Sequence, residues 1–330
     1  MDIVRFRRDV PAPLKGAALA IGNFDGVHRG HQEVLNAAIG IAKQEGRRSG
    51  AVVFEPHPRE FFAPDTPFFR LTPLPLKLEL LEALGLDQTF VIPFDQALAS
   101  LSAEAFATEV IAKGLGASHV VVGHDFSFGK GRSGTTEGLA VLGRALGFGV
   151  DVVAPVGAHG ATFSSSRIRE HLRAGETREA ADQLGYWWRV RGRVEAGAGR
   201  GKGLGFPTLN LKLAPGQDAR HGIYAMRITV DGRRYPAAGY VGARPTFGES
   251  EPVLEAYLLD FTGDLYDKEI EAEFIAFLRP DRTFATPEAL AEQMGEDCDH
   301  ARAILARLDE DDPMRRFPLG RAFGTSSAVI

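Results

Sequence analysis

The chain has 330 residues, of which 44% are apolar and 25% charged, with a formal net charge of -5. That length exceeds what one hydrophobic core usually spans, so two domains are expected. The charge balance argues against nucleic acid as the main ligand, no apolar run reaches the roughly 20 residues of a membrane span, and the lone cysteine, Cys298, forms no internal disulfide and suits a cytoplasmic location.

The first half alternates short apolar runs with helical periodicity. "AALAIG" (17–22) predicts a strand, and "HQEVLNAAIGIAKQEG" (31–46) a helix with Val34, Leu35, Ala38 and Ala42 on one face and Gly46 as its stop. "GAVVFEPHP" is a second strand that breaks at prolines, and "PLKLELLEALG" is helical. "TFVIPF" reads as a strand and "SAEAFATEVIAKGLG" as a helix capped by Ser102. "SHVVVGHDFSFG" is a further strand, followed by a helix near 138–145 and the strand "GVDVVAPV". Apolar strands separated by helices indicate a parallel sheet covered on both faces.

After "YWWRVRGRV" (186–194) the predicted elements are mostly strands: "GIYAMRITV", "RRYPAAGYVG", "PVLEAYLLDF" and "KEIEAEFIAFL". An Asp-Gly pair in "VDGR" joins two of them as a hairpin. Such a run suggests an antiparallel barrel or sandwich. It is closed by a long helix with Thr286 as N-cap, Pro287 at the first helical position and Glu288 in the first turn. The domains are expected at 1–185 and 186–310, with 311–330 a tail of little fixed structure.

"GNFDGVHRGHQ" (22–32) follows a strand and opens a helix. In an open parallel sheet ligands bind beyond the carboxyl ends of the strands, where strand order switches. A helix N-terminus there offers free N–H groups to a phosphate, and His28 and His31 add donors. Neither a dinucleotide fingerprint nor a phosphate loop of the G-x-x-x-x-G-K type is present. A metal pair lacks a third ligand at suitable spacing. On spacing alone, phosphate handling and a structural role both stay open.

The string His28-Arg29-Gly30-His31 is the H-x-G-H element of the nucleotidyltransferase superfamily. Together with "FEPHP", "VVVGHDFSFG" and "SSSRIRE" it resembles the adenylyltransferase module of the bacterial bifunctional riboflavin kinase/FAD synthetase family. The resemblance implies a Rossmann-like nucleotidyltransferase fold in which the FMN phosphate attacks the α-phosphorus of ATP and pyrophosphate leaves. His28, His31 and Arg169 would be catalytic, and Gly22, Asn23, Phe24, Gly30, Ser165 and Ser166 would hold ATP. Asp125, Phe128 and Gly129 would line the flavin, although Phe126 and Phe128 alternate as core residues of a strand also would. Ser165 and Ser166 alone read as helix caps. The chain departs from the family at Ser164-Ser165-Ser166, where Ser-Ser-Thr is usual, and at Gly134-Thr135, where Gly-Asp is common.

"GRGKGLGFPTLNL" (199–211) reads first as a flexible glycine-rich turn, but it ends in Thr208 and Asn210, two residues apart and on one side of an extended chain. Glu255 sits in the otherwise apolar "VLEAYLLDF"; a surface salt bridge explains it, as does a base near a substrate hydroxyl. These strings, with "GIYA", "GARPTFG" and "LRPDRTF", resemble the riboflavin kinase module of the same family. The resemblance implies an antiparallel Greek-key barrel followed by a helix. It implies Glu255 as catalytic base, Thr208 and Asn210 at magnesium and ATP, and Gly201, Lys202, Gly203 and Gly205 over the phosphates. Lys202 stands where arginine is usual, and Tyr240 where asparagine is common.

The expected protein therefore converts riboflavin to FMN and FMN to FAD, with ATP and magnesium, and without nucleic acid or membrane. The alternatives are a flavin-binding regulatory protein with one decayed module, and an adenylyltransferase for another phosphorylated cofactor precursor.

Overall fold

A computed structural model describes all residues except 6–9, 159, 196–205, 247–248 and 325–330. The chain divides into two compact units, Met1–Thr66 with Arg70–Ser165, and Pro67–Phe69 with Ser166–Ile330.

The first unit is built on strands β1 (Asp2–Val4), β2 (Ala18–Ile21), β3 (Ser49–Glu55), β4 (Gln88–Pro93), β5 (His119–Gly123) and β6 (Gly149–Val153), ordered β1-β4-β3-β2-β5-β6. Every neighbouring pair in this sheet is parallel. The edge strand β1, beside β4 in the register Asp2 to Gln88, is too short and too charged to read from periodicity. The strand before the glycine-rich loop is therefore the second in the chain. The chain runs outward from β2 through β3 to β4, then returns to lay β5 on the other side of β2. The loop after β2 leaves at that reversal, where the parallel-sheet rule puts the ligand. Leu19, Val52, Phe90 and Val120, all fully buried, pack with Phe106 and Ile111. The helix Arg29–Glu45 buries Val34, Leu35, Ala38 and Ala42, the face that periodicity selects, and ends at Gly46. A two-stranded hairpin, β7 (Gly157–Ala158) and β8 (Ala161–Thr162), precedes the helix Ser165–Ala174.

The second unit is a closed antiparallel barrel of β9 (Arg189–Glu195), β10 (Leu209–Lys212), β11 (Gly222–Val230), β12 (Arg233–Thr246), β13 (Glu249–Leu258) and β14 (Glu269–Arg279), in the order β10-β13-β12-β11-β14-β9. Leu211 lies beside Val194 and Leu254, and Leu254 beside Val241, one row of the apolar interior. The Asp231-Gly232 turn joins β11 to β12 as a hairpin. The helix Pro287–Glu310 begins at Thr286, whose hydroxyl accepts the Ala289 N–H, and lays Cys298, Ala301 and Leu305 against Ala225 and Ile275. The helix Thr177–Leu184 also belongs with this unit, its Thr177 hydroxyl donating to the Ile275 carbonyl.

The expectation of an unstructured tail fails between Asp312 and Gly324. Asp312 is 4% exposed and accepts hydrogen bonds from Trp187 Nε1 at 3.0 Å, Arg227 Nη1 at 2.8 Å and the Met314 N–H at 2.9 Å. Arg227 also pairs with Glu273, which pairs with Arg189. A buried charge left alone is costly, so this counter-ion fixes the segment despite its polar composition. Met314 and Leu319 are then buried behind it, and the helix Pro318–Gly324 follows. Asp312→Ala is expected to remove about 3 kcal/mol from the second unit, because it takes one of the two carboxylates that balance the buried Arg227 and leaves the Trp187 N–H without its acceptor. Urea unfolding checks this, and an unmoved midpoint refutes it.

Candidate functional site

Residues 22–28 make a tight turn between β2 and the helix Arg29–Glu45, with φ of 47° at Phe24, 87° at Gly26 and 39° at Val27. Left-handed backbone at a phenylalanine and a valine is rare and needs support. The support comes from residues 71–77. Asp25, 3% exposed, accepts the N–H groups of Leu71 at 3.2 Å and Thr72 at 3.0 Å, and the Thr72 hydroxyl accepts the Gly26 N–H at 2.8 Å. The buried Lys77 donates to the Asn23 carbonyl at 2.7 Å, and the Ser165 hydroxyl to that of Asp25 at 2.7 Å.

His28 caps the helix, its Nδ1 accepting the His31 N–H at 3.3 Å. In the neutral ring this leaves the proton on Nε2, a fixed donor. The His31 ring stacks on His28 with centroids 3.6 Å apart and 19° between planes, and Phe24 meets it edge-on. Burial, then the neighbouring His28 and Lys77, hold His31 well below the usual imidazole range. Its Nδ1 is buried without a hydrogen-bond partner. Gly30 leaves room for the His28 ring, since a Cβ there would make a tight contact of 3.2 Å with it. A helix N-terminus carrying an oriented N–H and an unpaired ring nitrogen fits an anion.

The run 118–129 is a strand only to Gly123; the Phe126 N–H then bonds the Gly123 carbonyl and the chain turns. Asp125 is exposed in this turn. Phe128 is a core residue rather than a free flavin face: Phe126 stacks on it at 5.5 Å, and a Cβ on Gly134 would come within 2.7 Å of its ring. The half-buried Phe126 is the ring with surface to offer. Gly129, with φ 73°, abuts the backbone of Ala103. Thr135 caps the helix Thr136–Leu146 by accepting the Gly138 N–H, a task aspartate performs equally well, so this departure keeps its local role.

The unit division falls after Ser165, so Ser166 and Arg169 are described with the second unit. Ser166 is exposed. Arg169 is 7% exposed; its Nε donates to the Phe69 carbonyl at 2.5 Å and its guanidinium lies 4.7 Å over Phe68.

In the barrel, Leu209 and Leu211 point inward, so Asn210 between them points outward. Asn210 lies directly opposite Glu255 on one side and Glu195 on the other, and Glu255 lies directly opposite Tyr240. Asn210 and Glu255 are thus cross-strand neighbours on one face, and the half-buried Thr208 lies two residues from Asn210, its carbonyl accepting the Asn210 amide at 3.5 Å. Phe206 packs edge-on to Tyr257, two residues along the same face. Tyr240 extends over Gly242, where a Cβ would meet its hydroxyl at 2.0 Å. Burial, Asp281 and Glu255 raise its phenol above the ordinary range. Tyr240 thus puts a hydroxyl on the Glu255 face. Gly201, Lys202, Gly203 and Gly205 lie outside the described residues.

The sequence reading missed Asp25, Thr72 and Lys77, the residues beneath the first loop. Its available signal was a lysine among the buried leucines of "LPLKLELL".

Among the described residues no helix is long and apolar enough to cross a membrane. The FAD synthetase family model matches residues 10–167, and the riboflavin kinase family model residues 184–305. The chain is 38% identical over 307 residues to a bifunctional riboflavin kinase/FMN adenylyltransferase of Pseudomonas fluorescens, covering 93% of this chain and 98% of that one. Identity to the Escherichia coli K12 protein of the same name is 34% over 291 residues, 87% of this chain and 92% of that one. Among solved structures it resembles one described as a macrolide-efflux protein of Streptococcus pneumoniae, with a TM-score of 0.82 and 26% identity over 92% of this chain and 99% of that one.

The depressed His31 has a consequence for stability. The unfolded ring takes a proton near pH 6.5 while the folded one does not, so this contribution is complete above about 6.5 and declines as the pH falls below it. Histidine NMR should show the His31 ring still neutral at pH 6, and the His31→Gln variant should lose less stability than wild type between pH 7 and 5. An ordinary His31 titration refutes the assignment.

Proposed function

The chain belongs to the family of bifunctional riboflavin kinase/FMN adenylyltransferases, and from that premise we propose which residues carry each step. The enzyme phosphorylates riboflavin to FMN with ATP and then adenylylates FMN to FAD, releasing pyrophosphate.

For adenylylation, a phosphate oxygen of FMN attacks the α-phosphorus of ATP as the bond from that phosphorus to the pyrophosphate oxygen breaks. Charge grows on the bridging oxygen, and His28 Nε2–H and the His31 ring are the donors that meet it. The N–H groups of Asn23, Phe24 and Gly30, with Ser165, hold the phosphates, while the Gly22 N–H bonds the Val52 carbonyl. Asp125 and Gly129 line the flavin, and Phe126 supplies the ring face in place of Phe128.

For phosphorylation, Glu255 accepts the proton of the ribityl 5′-hydroxyl while its oxygen attacks the γ-phosphorus and ADP leaves. The Thr208 hydroxyl and the Asn210 amide oxygen are hard donors of the kind magnesium takes, and they flank Glu255, so we assign them to the cation carried by ATP. When bound, magnesium neutralises charge on the phosphate oxygens. We assign Gly201, Lys202, Gly203 and Gly205 to those phosphates on the family resemblance alone. We place both steps in the cytoplasm, on the single-cysteine composition.

The observation that carries this reading is that the key groups of each chemistry are neighbours within their own unit: His28 stacks on His31, and Glu255 faces Asn210. Incubation with riboflavin and MgATP should yield FMN before FAD by chromatography. His28→Ala is expected to slow FAD formation by about 100-fold or more while FMN accumulates. Glu255→Gln is expected to slow FMN formation by about 100-fold or more while FAD is still made from added FMN. Loss of both activities from either change contradicts separate sites.

A further inference from the structure

We propose that Lys77 is a positioning residue for adenylyl transfer: it fixes the peptide between Asn23 and Phe24 so that the Phe24 N–H is presented to the nucleotide. The inference rests on the assignment of residues 22–31 to ATP. Lys77 is 1% exposed on a helix whose Leu76, Leu78, Leu80 and Leu81 are also buried. A buried ammonium is costly, and an apolar side chain would satisfy this helix better. Its Nζ donates to the Asn23 carbonyl at 2.7 Å. In a trans peptide the carbonyl and the following N–H point in opposite directions, so the Phe24 N–H is turned to the side away from Lys77. That N–H is without a partner among the described residues, although Phe24 is 2% exposed. An orphaned buried N–H beside the H-x-G-H turn is a donor waiting for an acceptor.

The remaining tethers act one residue further on: Asp25 and Gly26 are held by Leu71 and Thr72. Lys77 alone among the described residues grips the Asn23 carbonyl, one peptide before the left-handed Phe24. Its charge also bears on the site. Asp25, Arg70, Glu55 and Glu60 face Lys77, and His28 and Lys77 face His31. A fixed cation there adds to burial and His28 in keeping His31 neutral, and it attracts the triphosphate.

The test uses the full chain, with riboflavin phosphorylation and FMN adenylylation assayed separately. Lys77→Met is expected to raise the ATP KM of adenylylation about tenfold or more and to lower its kcat, with riboflavin phosphorylation unchanged. Lys77→Arg should recover most of the loss. In Lys77→Met the His31 titration should move up only slightly, because burial and His28 still hold it down, and it is the recovery by arginine that separates positioning from repacking. On the wild-type protein, whatever the variants do, the Phe24 amide resonance should shift downfield on adding a non-hydrolysable ATP analogue. A folded Lys77→Met enzyme with wild-type ATP kinetics, or a Phe24 amide indifferent to the nucleotide, overturns the inference. Wild-type protein that makes no FAD from FMN overturns the underlying site assignment instead.

Discussion

The turn at residues 22–28 can hold its shape only because a distant segment holds it. Left-handed backbone at Phe24 and Val27 is not a conformation these residues choose. Asp25 and the carbonyl of Asn23 are bound from below by residues 71 to 77, so the strain is balanced by long-range hydrogen bonds rather than by the loop. Everything the first site offers follows from that: the cap at His28, its ring orientation, and the stacked His31. The helix dipole and the oriented N–H groups are useful to a phosphate because they are fixed before it arrives.

The second site solves a different problem with a different device. Phosphoryl transfer to a hydroxyl needs a base beside oxygen donors for a cation, and a β-ladder sets such spacing by register. Glu195, Asn210, Glu255 and Tyr240 occupy one transverse row on the outer face of the barrel. A slip of one residue in the pairing of β10 with β13 would turn Asn210 inward and Leu211 outward. The apolar interior formed by Leu209, Leu211 and Leu254 therefore guards the row we propose for the chemistry as well as the fold.

Periodicity made both architectures legible, because alternation and helical spacing are local. The buried face of the Arg29–Glu45 helix, the Asp-Gly hairpin and the Thr286 cap all follow from neighbours within a few residues. The short glycine motif also marked the turn that we assign to the first site. Other features were not visible for the opposite reason. Asp25 and Thr72 are 47 positions apart, and nothing local marks them as partners. Asp312 reads as one acid in a polar tail until Arg227 and Trp187 are brought to it. Phe126 and Phe128 differ in exposure because the chain turns after Gly123, a bend that an alternating pattern hides.

The ionic cluster around Arg227 also bears on how the protein is made. Glu273 reaches that guanidinium from a strand, but its other carboxylate partner, Asp312, lies among residues synthesised after the barrel's last strand. While the ribosome still holds those residues, Arg227 has half of its counter-charge and the Trp187 indole N–H is without the Asp312 acceptor. The first unit draws only on residues up to Ser165 and can finish early; the barrel reaches its final state only after Asp312 has emerged.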